Sequence, residues 1–189
     1  SRAKNCRKDL KFKYFYLILI HIHISKFLKI IMNILIPMAG LGSRFPKEKF
    51  KTKPLIEINS TPMIIRAVES LDLDGDHLFV IRKSEFSAEI KSVIKNIKKK
   101  KNEIEINYQT SGPAETALLF SDLIDSDKEL VIANCDQIME WNSVNFLYNV
   151  RQYDGAVVTY HATTDKNSYA KLNKVGEVSE SENHHPDIS

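Results

Sequence analysis

Asn33-Ile-Leu-Ile-Pro-Met38, followed directly by Ala39-Gly-Leu-Gly-Ser-Arg44, is the stretch that decides the fold. A short, nearly continuous apolar run that ends in glycines reads as a strand buried on both faces and running into a loop. Glycines at 40 and 42 let a backbone approach a phosphate closely, and successive N–H groups there form an anion nest. Arg44 adds a planar fork suited to phosphate oxygens. Nine residues further on, Lys53-Pro54-Leu55 sets a point charge ahead of a rigid proline. Two cations flanking a glycine nest, directly after a first strand, suit a polyphosphate. Neither of two other phosphate loops fits. A dinucleotide fingerprint needs a third glycine where Phe45 stands, and a Walker A loop needs a terminal Gly-Lys-Ser/Thr that is missing. The bland alternative is that Gly40 and Gly42 only make a tight turn.

Downstream, strand and helix patterns alternate. Thr61-Pro62 is expected to open a helix with Ile64, Ile65, Val68 and Leu71 on one apolar face. A strand follows at Leu78–Ile81. Ser84 is expected to cap a longer helix carrying Phe86, Ile90, Val93, Ile94 and Ile97, which ends in the solvated lysine run 98–101. Glu103–Tyr108 alternates as a strand, and Gly112-Pro113 opens a third helix with Leu118, Leu119, Leu123 and Ile124. Leu130–Ala133 reads as a buried strand ending at Asn134-Cys135-Asp136-Gln137. A fourth helix starts at Asn142 or Ser143, and Ala156–Tyr160 reads as a further strand. This alternation predicts an α/β, Rossmann-like three-layer fold with a mostly parallel sheet covered on both faces. Ligands bind such sheets outside the carboxyl ends of the strands. A carboxylate at Asp136 would face that cleft and could hold Mg²⁺, which takes one or two protein carboxylates and keeps most of its waters. The competing reading is a turn or cap aspartate.

Composition narrows the function classes. The 189 residues are 43% hydrophobic and 27% charged, an ordinary globular balance. The net charge of +3 is unevenly placed: residues 1–31 hold eight Lys/Arg against one Asp, so the rest of the chain is mildly acidic. It offers no basic face for nucleic acid. Cys6 and Cys135 are far apart with no CxxC spacing, which suits a reducing compartment, here the cytoplasm, and no zinc ribbon. The apolar run Tyr14–Ser25 is about half of what a membrane span needs, and it contains His21 and His23. No methionine precedes Met32, so translation is expected to start there, with residues 1–31 an extension. His184-His185, in the polar tail 179–189, is expected to be unstructured rather than a metal site.

The segment IPMAGLGSRF…KTKPLIEINSTPMI resembles the opening of nucleotidyltransferases of the glucose-1-phosphate thymidylyl/uridylyltransferase type. QTSGPAETALL is similar to that family's base-recognition loop, and ANCDQ to its metal-binding aspartate segment. The resemblance covers about residues 32–178, fades after Ser168–Leu172, and finds nothing in the tail that matches the family's sugar-contacting strands and second metal aspartate. The chain is therefore expected to be the N-terminal, nucleotide-binding part of such an enzyme. The resemblance implies that the backbone of Ala39, Gly40, Leu41, Gly42 and Ser43 holds base and phosphates. It implies Arg44 on the β- and γ-phosphates, Lys53 on the α-phosphate, Gly112 under the base and Asp136 on Mg²⁺. Gln109 lies closer to Gly112 than in the thymidylyl enzymes, and its role stays open. The implied partners are an NTP and a sugar 1-phosphate. The alternatives are a glycosyltransferase of the related nucleotide-sugar fold, or a nucleotide-binding remnant without turnover. Base, sugar and oligomeric state are not legible.

Overall fold

The computed structural model describes residues 32–40, 52–160, 169–173 and 178–182. These fall into two units, one ending at Ser143 and the other starting at Val144. The N-terminal extension, the loop residues Leu41, Gly42, Ser43 and Arg44, and His184 and His185 lie outside the described residues.

In the first unit, β1 (Met32–Met38) is buried almost throughout, as its apolar run requires. A 3₁₀ turn at Lys53–Leu55 leads into a two-residue hairpin, β2 (Glu57–Ile58) with β3 (Thr61–Pro62). The chain continues through α1 (Met63–Leu71), β4 (Gly75–Arg82), α2 (Ser87–Lys95) and β5 (Lys101–Ile106). Two short helices follow, α3 (Pro113–Leu118) and α4 (Ser121–Ile124), then β6 (Leu130–Ile132). The strands form one sheet in the order β5-β4-β1-β6, parallel at each pairing.

That order explains the layers. From β1 the chain steps outward to β4 and then β5, through α1 and α2, and then returns past β4 and β1 to β6 through α3 and α4. Parallel crossovers are right-handed, so reversing the direction of travel moves the helices to the other face of the sheet. On one face Leu35, Leu78, Val80 and Ile106 form a core with Ala117 and Phe120 of the α3–α4 segment. Ile34, Ile36, Phe79 and Ile81 point the opposite way by strand alternation. That is the side of α1 and α2, which bury Ile64, Ala67, Val68, Leu71, Ile90 and Ile94. The travel reverses between β1 and β6, which makes their carboxyl ends the switch point of the sheet.

The second unit contains most of α5 (Ser143–Val150) and an antiparallel hairpin, β7 (Tyr169–Leu172) with β8 (Val178–Glu182), with an irregularity between Lys171 and Leu172. No helix among the described residues is long and apolar enough to cross a membrane.

Five local expectations are corrected. Thr61-Pro62 does not open a helix: it pairs antiparallel with Glu57–Ile58, and Pro62, at ψ 137°, is the residue before the first turn. Ser84 Oγ accepts the Phe86 N–H at 3.3 Å in a preceding turn, so α2 begins two residues later than a Ser84 cap implies. Lysines 98–101 do not extend that helix. Lys101 starts β5, while its ammonium donates to the Ile97 carbonyl at 2.7 Å and so still answers the helix's carboxyl end. Leu130 and Ile132 are 40% and 54% exposed, because β6 is an edge strand of the described sheet rather than a central one. Ala156–Tyr160 pairs with no described strand, and Val157, Val158 and Tyr160 are exposed; apolar alternation alone does not supply a ladder partner.

Candidate active site

Loops leave the carboxyl edge of this sheet after β1, β5 and β6, and each carries residues singled out in the sequence. Beyond Met38, Ala39 is buried in the core face while Gly40 is exposed. After β6, the Ala133 N–H donates to the Leu35 carbonyl at 2.9 Å, which carries the pairing with β1 one residue past the strand. Asp136 therefore emerges beside the end of β1, at the switch point.

Lys53 reaches the same place from a rigid support. Pro54 is buried at the start of the 3₁₀ turn, and the Leu55 and Ile56 N–H groups donate back to Thr52 and Lys53 carbonyls at 3.0 and 3.1 Å. The hairpin behind it turns through Asn59 and Ser60, both at positive φ (50° and 60°), the conformation of a type I′ turn. Arg66 of α1 donates from Nε to the Ile58 carbonyl at 2.8 Å and ties the hairpin to the helix. From this base Lys53 Nζ meets Asp136 Oδ2 at 2.8 Å, across 83 positions of sequence. Both side chains are little more than a quarter exposed, so the pair is reachable from solvent yet partly screened from it.

The residues around Asp136 hold it from behind. Cys135 is buried, and that burial, followed by the adjacent Asp136 charge, pushes its thiol up to about 12, so it is an inert packing residue. Downstream, the Met139 N–H donates to Ser70 Oγ at 3.0 Å and Trp141 Nε1 to the Ser70 carbonyl at 3.1 Å. Ser143 Oγ lies 3.2 Å from Asp72 Oδ2. The segment after the aspartate is thus clamped to the end of α1. Sequence reasoning missed this clamp; the chain's single tryptophan, close behind the candidate ligand, was its one visible signal.

Gly112 precedes α3, whose Pro113 occupies the first turn as expected. Its loop is self-braced. The Ser111 N–H and Oγ–H donate to Glu115 Oε2 at 2.6 and 2.7 Å, and Thr110 and Thr116 hydroxyls meet at 2.7 Å. The Ser111 hydroxyl, then its N–H, holds the Glu115 carboxyl below its ordinary range. α3 packs on β1, and Ala117 shares the core cluster of Ala39, which brings this loop to the β1 side of the edge.

The glycines separate into two kinds. A Cβ on Gly75 would collide with the Met32 carbonyl oxygen, so the close strand contact itself requires that glycine. Among the described residues, a Cβ on Gly40 or Gly112 would meet no atom within 4 Å, and neither shows the left-handed φ that only glycine tolerates well. The fold does not demand them. Their missing side chains leave open space at the carboxyl edge of the sheet, where a flat or anionic ligand would need it.

The donor set suits magnesium. Among the described residues no group of three or more His, Cys, Asp or Glu gathers to hold a metal. Asp136 offers one carboxylate, which already carries a cation on Oδ2. Mg²⁺ binds through one or two carboxylates with waters and phosphates filling the rest, unlike an ion caged by protein ligands. A separate cavity of about 340 Å³, lined by Val68, Asp72, Leu73, Ile97 and Lys99 among others, lies at the carboxyl ends of α1 and α2. Since those helices run antiparallel to the strands, it opens at the other edge of the sheet.

No family model matches the sequence, and no curated protein matches it. Solved structures do. A nucleoside-diphosphate-sugar pyrophosphorylase from Vibrio cholerae RC9 superposes with a TM-score of 0.64 at 23% identity, over 82% of this chain and 68% of that one. A Bacillus anthracis protein described as a glucose-1-phosphate thymidylyltransferase gives 0.65 at 21% identity, over 80% and 63%. A UDP-glucose pyrophosphorylase complexed with UDP-glucose gives 0.61 at 19%, over 80% and 68%. The chain has the sugar nucleotidyltransferase fold. It spans about two thirds of the length of each of these nucleotidyltransferase-fold chains. Within that fold, Lys53, Asp136, Ala39 and Gly40 lie at the carboxyl edge where the sheet's travel reverses, with Gly112 on the β1 side.

Proposed function

We propose that this chain is the nucleotide-binding part of a sugar nucleotidyltransferase, which moves a nucleotidyl group from Mg-NTP to a sugar 1-phosphate and releases pyrophosphate. The observation that carries the reading is the Lys53–Asp136 pair at the switch point, flanked by glycines whose side-chain space is open among the described residues. A cation for phosphate and a carboxylate for Mg²⁺ stand within hydrogen-bond distance of one another.

In this reading the backbone of Ala39, Gly40, Leu41, Gly42 and Ser43 lines the nucleotide. Gly112 lets the base lie against its loop, Arg44 takes the β- and γ-phosphates, and Lys53 takes the α-phosphate. Asp136 would hold Mg²⁺, which neutralises phosphate charge when bound. The acceptor oxygen of a sugar 1-phosphate is ionised at neutral pH, so no general base is needed. That oxygen forms a bond to the α-phosphorus as the bond from the α-phosphorus to the β-phosphate oxygen breaks. Charge develops on the α-phosphoryl group and the departing pyrophosphate, and the chain's part is to align the two anions and offset that charge. NTPs and sugar phosphates are cytoplasmic compounds, so the reading places the reaction in the cytoplasm, with a nucleotide sugar for surface polysaccharide as its product.

The test is pyrophosphate release by the chain from each NTP with a panel of sugar 1-phosphates and Mg²⁺. Release confined to one base–sugar combination supports transfer. Nucleotide binding without release on any acceptor would reduce the reading to a binding domain.

A further inference from the structure

We infer that the cavity at the carboxyl ends of α1 and α2 binds a small zwitterion, a molecule with an amine and an acid group at opposite ends of an apolar body. The cavity encloses about 340 Å³, at the lower end of the range for small-molecule pockets. It opens at the sheet edge opposite the Lys53–Asp136 pair, so the inference does not depend on the nucleotide reading. Its floor is apolar, made by Ile65, Val68, Leu73 and Ile97. Its two sides carry opposite charge. Glu69 and Asp72 stand on the α1 side, and Lys98 and Lys99 follow α2 on the other.

Contacts within the protein use only part of this charge. Lys99 is paired with Asp74, and Asp72 Oδ2 lies 3.2 Å from Ser143 Oγ. Among the described residues, the side chains of Glu69 and Lys98 have neither an ion pair nor a hydrogen bond. One carboxylate and one ammonium are left to line the cavity. The helix ends set the direction of the ligand. The end of α2 is answered by the Lys101 ammonium, which donates to the Ile97 carbonyl at 2.7 Å. By contrast, α1 has no basic residue in its last turn, and carries Glu69 there and Asp72 at its cap. A helix carboxyl end beside carboxylates attracts a cation. The amine therefore belongs on the α1 side and the acid group on Lys98, with the apolar body over the floor between them. A wholly apolar ligand would strip water from Glu69 and Lys98 and return nothing to them. A singly charged ligand would leave one of the two uncompensated.

The probe is ε-aminocaproate, with hexylamine and caproate as its singly charged analogues, each titrated against the full chain by ligand-observed NMR. The zwitterion should bind about fivefold more tightly than either analogue, the scale of one partly exposed ion pair. Glu69→Gln and Lys98→Gln, both at exposed positions, should each weaken the zwitterion by a similar factor. Ile65→Trp, which fills the cavity, should weaken all three probes. Lys53→Ala, at the other edge of the sheet, should change nothing. If Ile65→Trp loses the wild-type circular dichroism spectrum, the two charge variants decide alone. No binding of ε-aminocaproate by the folded chain overturns the inference, as does equal binding of either analogue. A loss in Lys53→Ala that Glu69→Gln and Lys98→Gln do not share also overturns it, because the probe would then sit at the other edge.

Discussion

At Lys53 and Asp136 the chain brings together two residues whose sequence contexts say nothing of one another. One precedes a proline after a glycine loop; the other ends an apolar strand. Each alone fits a bland role, a solvated lysine or a turn aspartate. At 2.8 Å, on the carboxyl edge of a parallel sheet, they form an ion pair and a candidate site. Lys53→Ala and Arg44→Ala should each weaken NTP binding by about tenfold or more, the size of a lost charge-assisted hydrogen bond. Lys99→Ala should leave it unchanged, because Lys99 is paired with Asp74 at the other end of β4. Isothermal titration with Mg-NTP checks the set; equal affinity in all three variants contradicts the assignment. His77 gives a second residue-scale expectation. It is buried with Nε2 lacking a partner among the described residues, Nδ1 lies 3.1 Å from the Gly75 carbonyl oxygen, and its ring stacks on Phe79. Burial holds its pKa below the ordinary 6.5, and nearby Lys99 adds to this against the raising effect of Gly75, Asp74 and Asp76. The unfolded chain therefore takes up a proton that the folded one resists. Stability is complete above about pH 6.5 and falls as pH drops below it. Urea midpoints between pH 7.5 and 5.5 should fall for wild type and change less for His77→Leu.

Among the elements, the strand pairing requires Gly75, whereas Gly112, which the described residues leave open, is proposed to face a ligand. Gly75→Ala puts a methyl against the Met32 carbonyl across the β1–β4 pairing and should cost about 1–3 kcal/mol, as overpacking does. Gly112→Ala meets open space and should leave the melting temperature within a degree or two, while lowering affinity for the nucleotide severalfold. Thermal melts and titrations on the two variants give opposite patterns if the division holds. If Gly112→Ala binds nucleotide like wild type, the loop does not contact the base. The elements also show where sequence reading stops. β1 and β4 were legible because a strand covered on both faces must be apolar along its length. Thr61-Pro62 was misread because proline suits both a first helical turn and an extended edge, and the short pairing to Glu57–Ile58 decided between them. Ala156–Tyr160 was misread because a strand exists only where a neighbour accepts its hydrogen bonds.

For the molecule as a whole, the doubly wound order of the sheet is what turns scattered motifs into one candidate site. The GxG loop, the lysine and the aspartate were visible in the sequence. Their place at the carboxyl ends of the strands was expected from the strand–helix alternation; the direct contact of Lys53 with Asp136 was not, because it depends on the return crossover through α3 and α4 that sets β6 beside β1. The clamp from Ser70 to Met139 and Trp141 was likewise hidden, since it joins a helix end to a loop some 70 positions away. Arg44 and the second half of the glycine loop lie outside the described residues, so their part rests on sequence resemblance. The carboxyl edge at β1 and β6 is proposed to bind a nucleotide with its metal. The most direct test is thermal denaturation of the chain with each of the four NTPs, with and without Mg²⁺. The expected result is stabilisation that needs Mg²⁺, favours one or two bases, and disappears in Lys53→Ala and Asp136→Asn. A folded chain whose melting temperature no NTP raises, or raises equally in those variants, would contradict it.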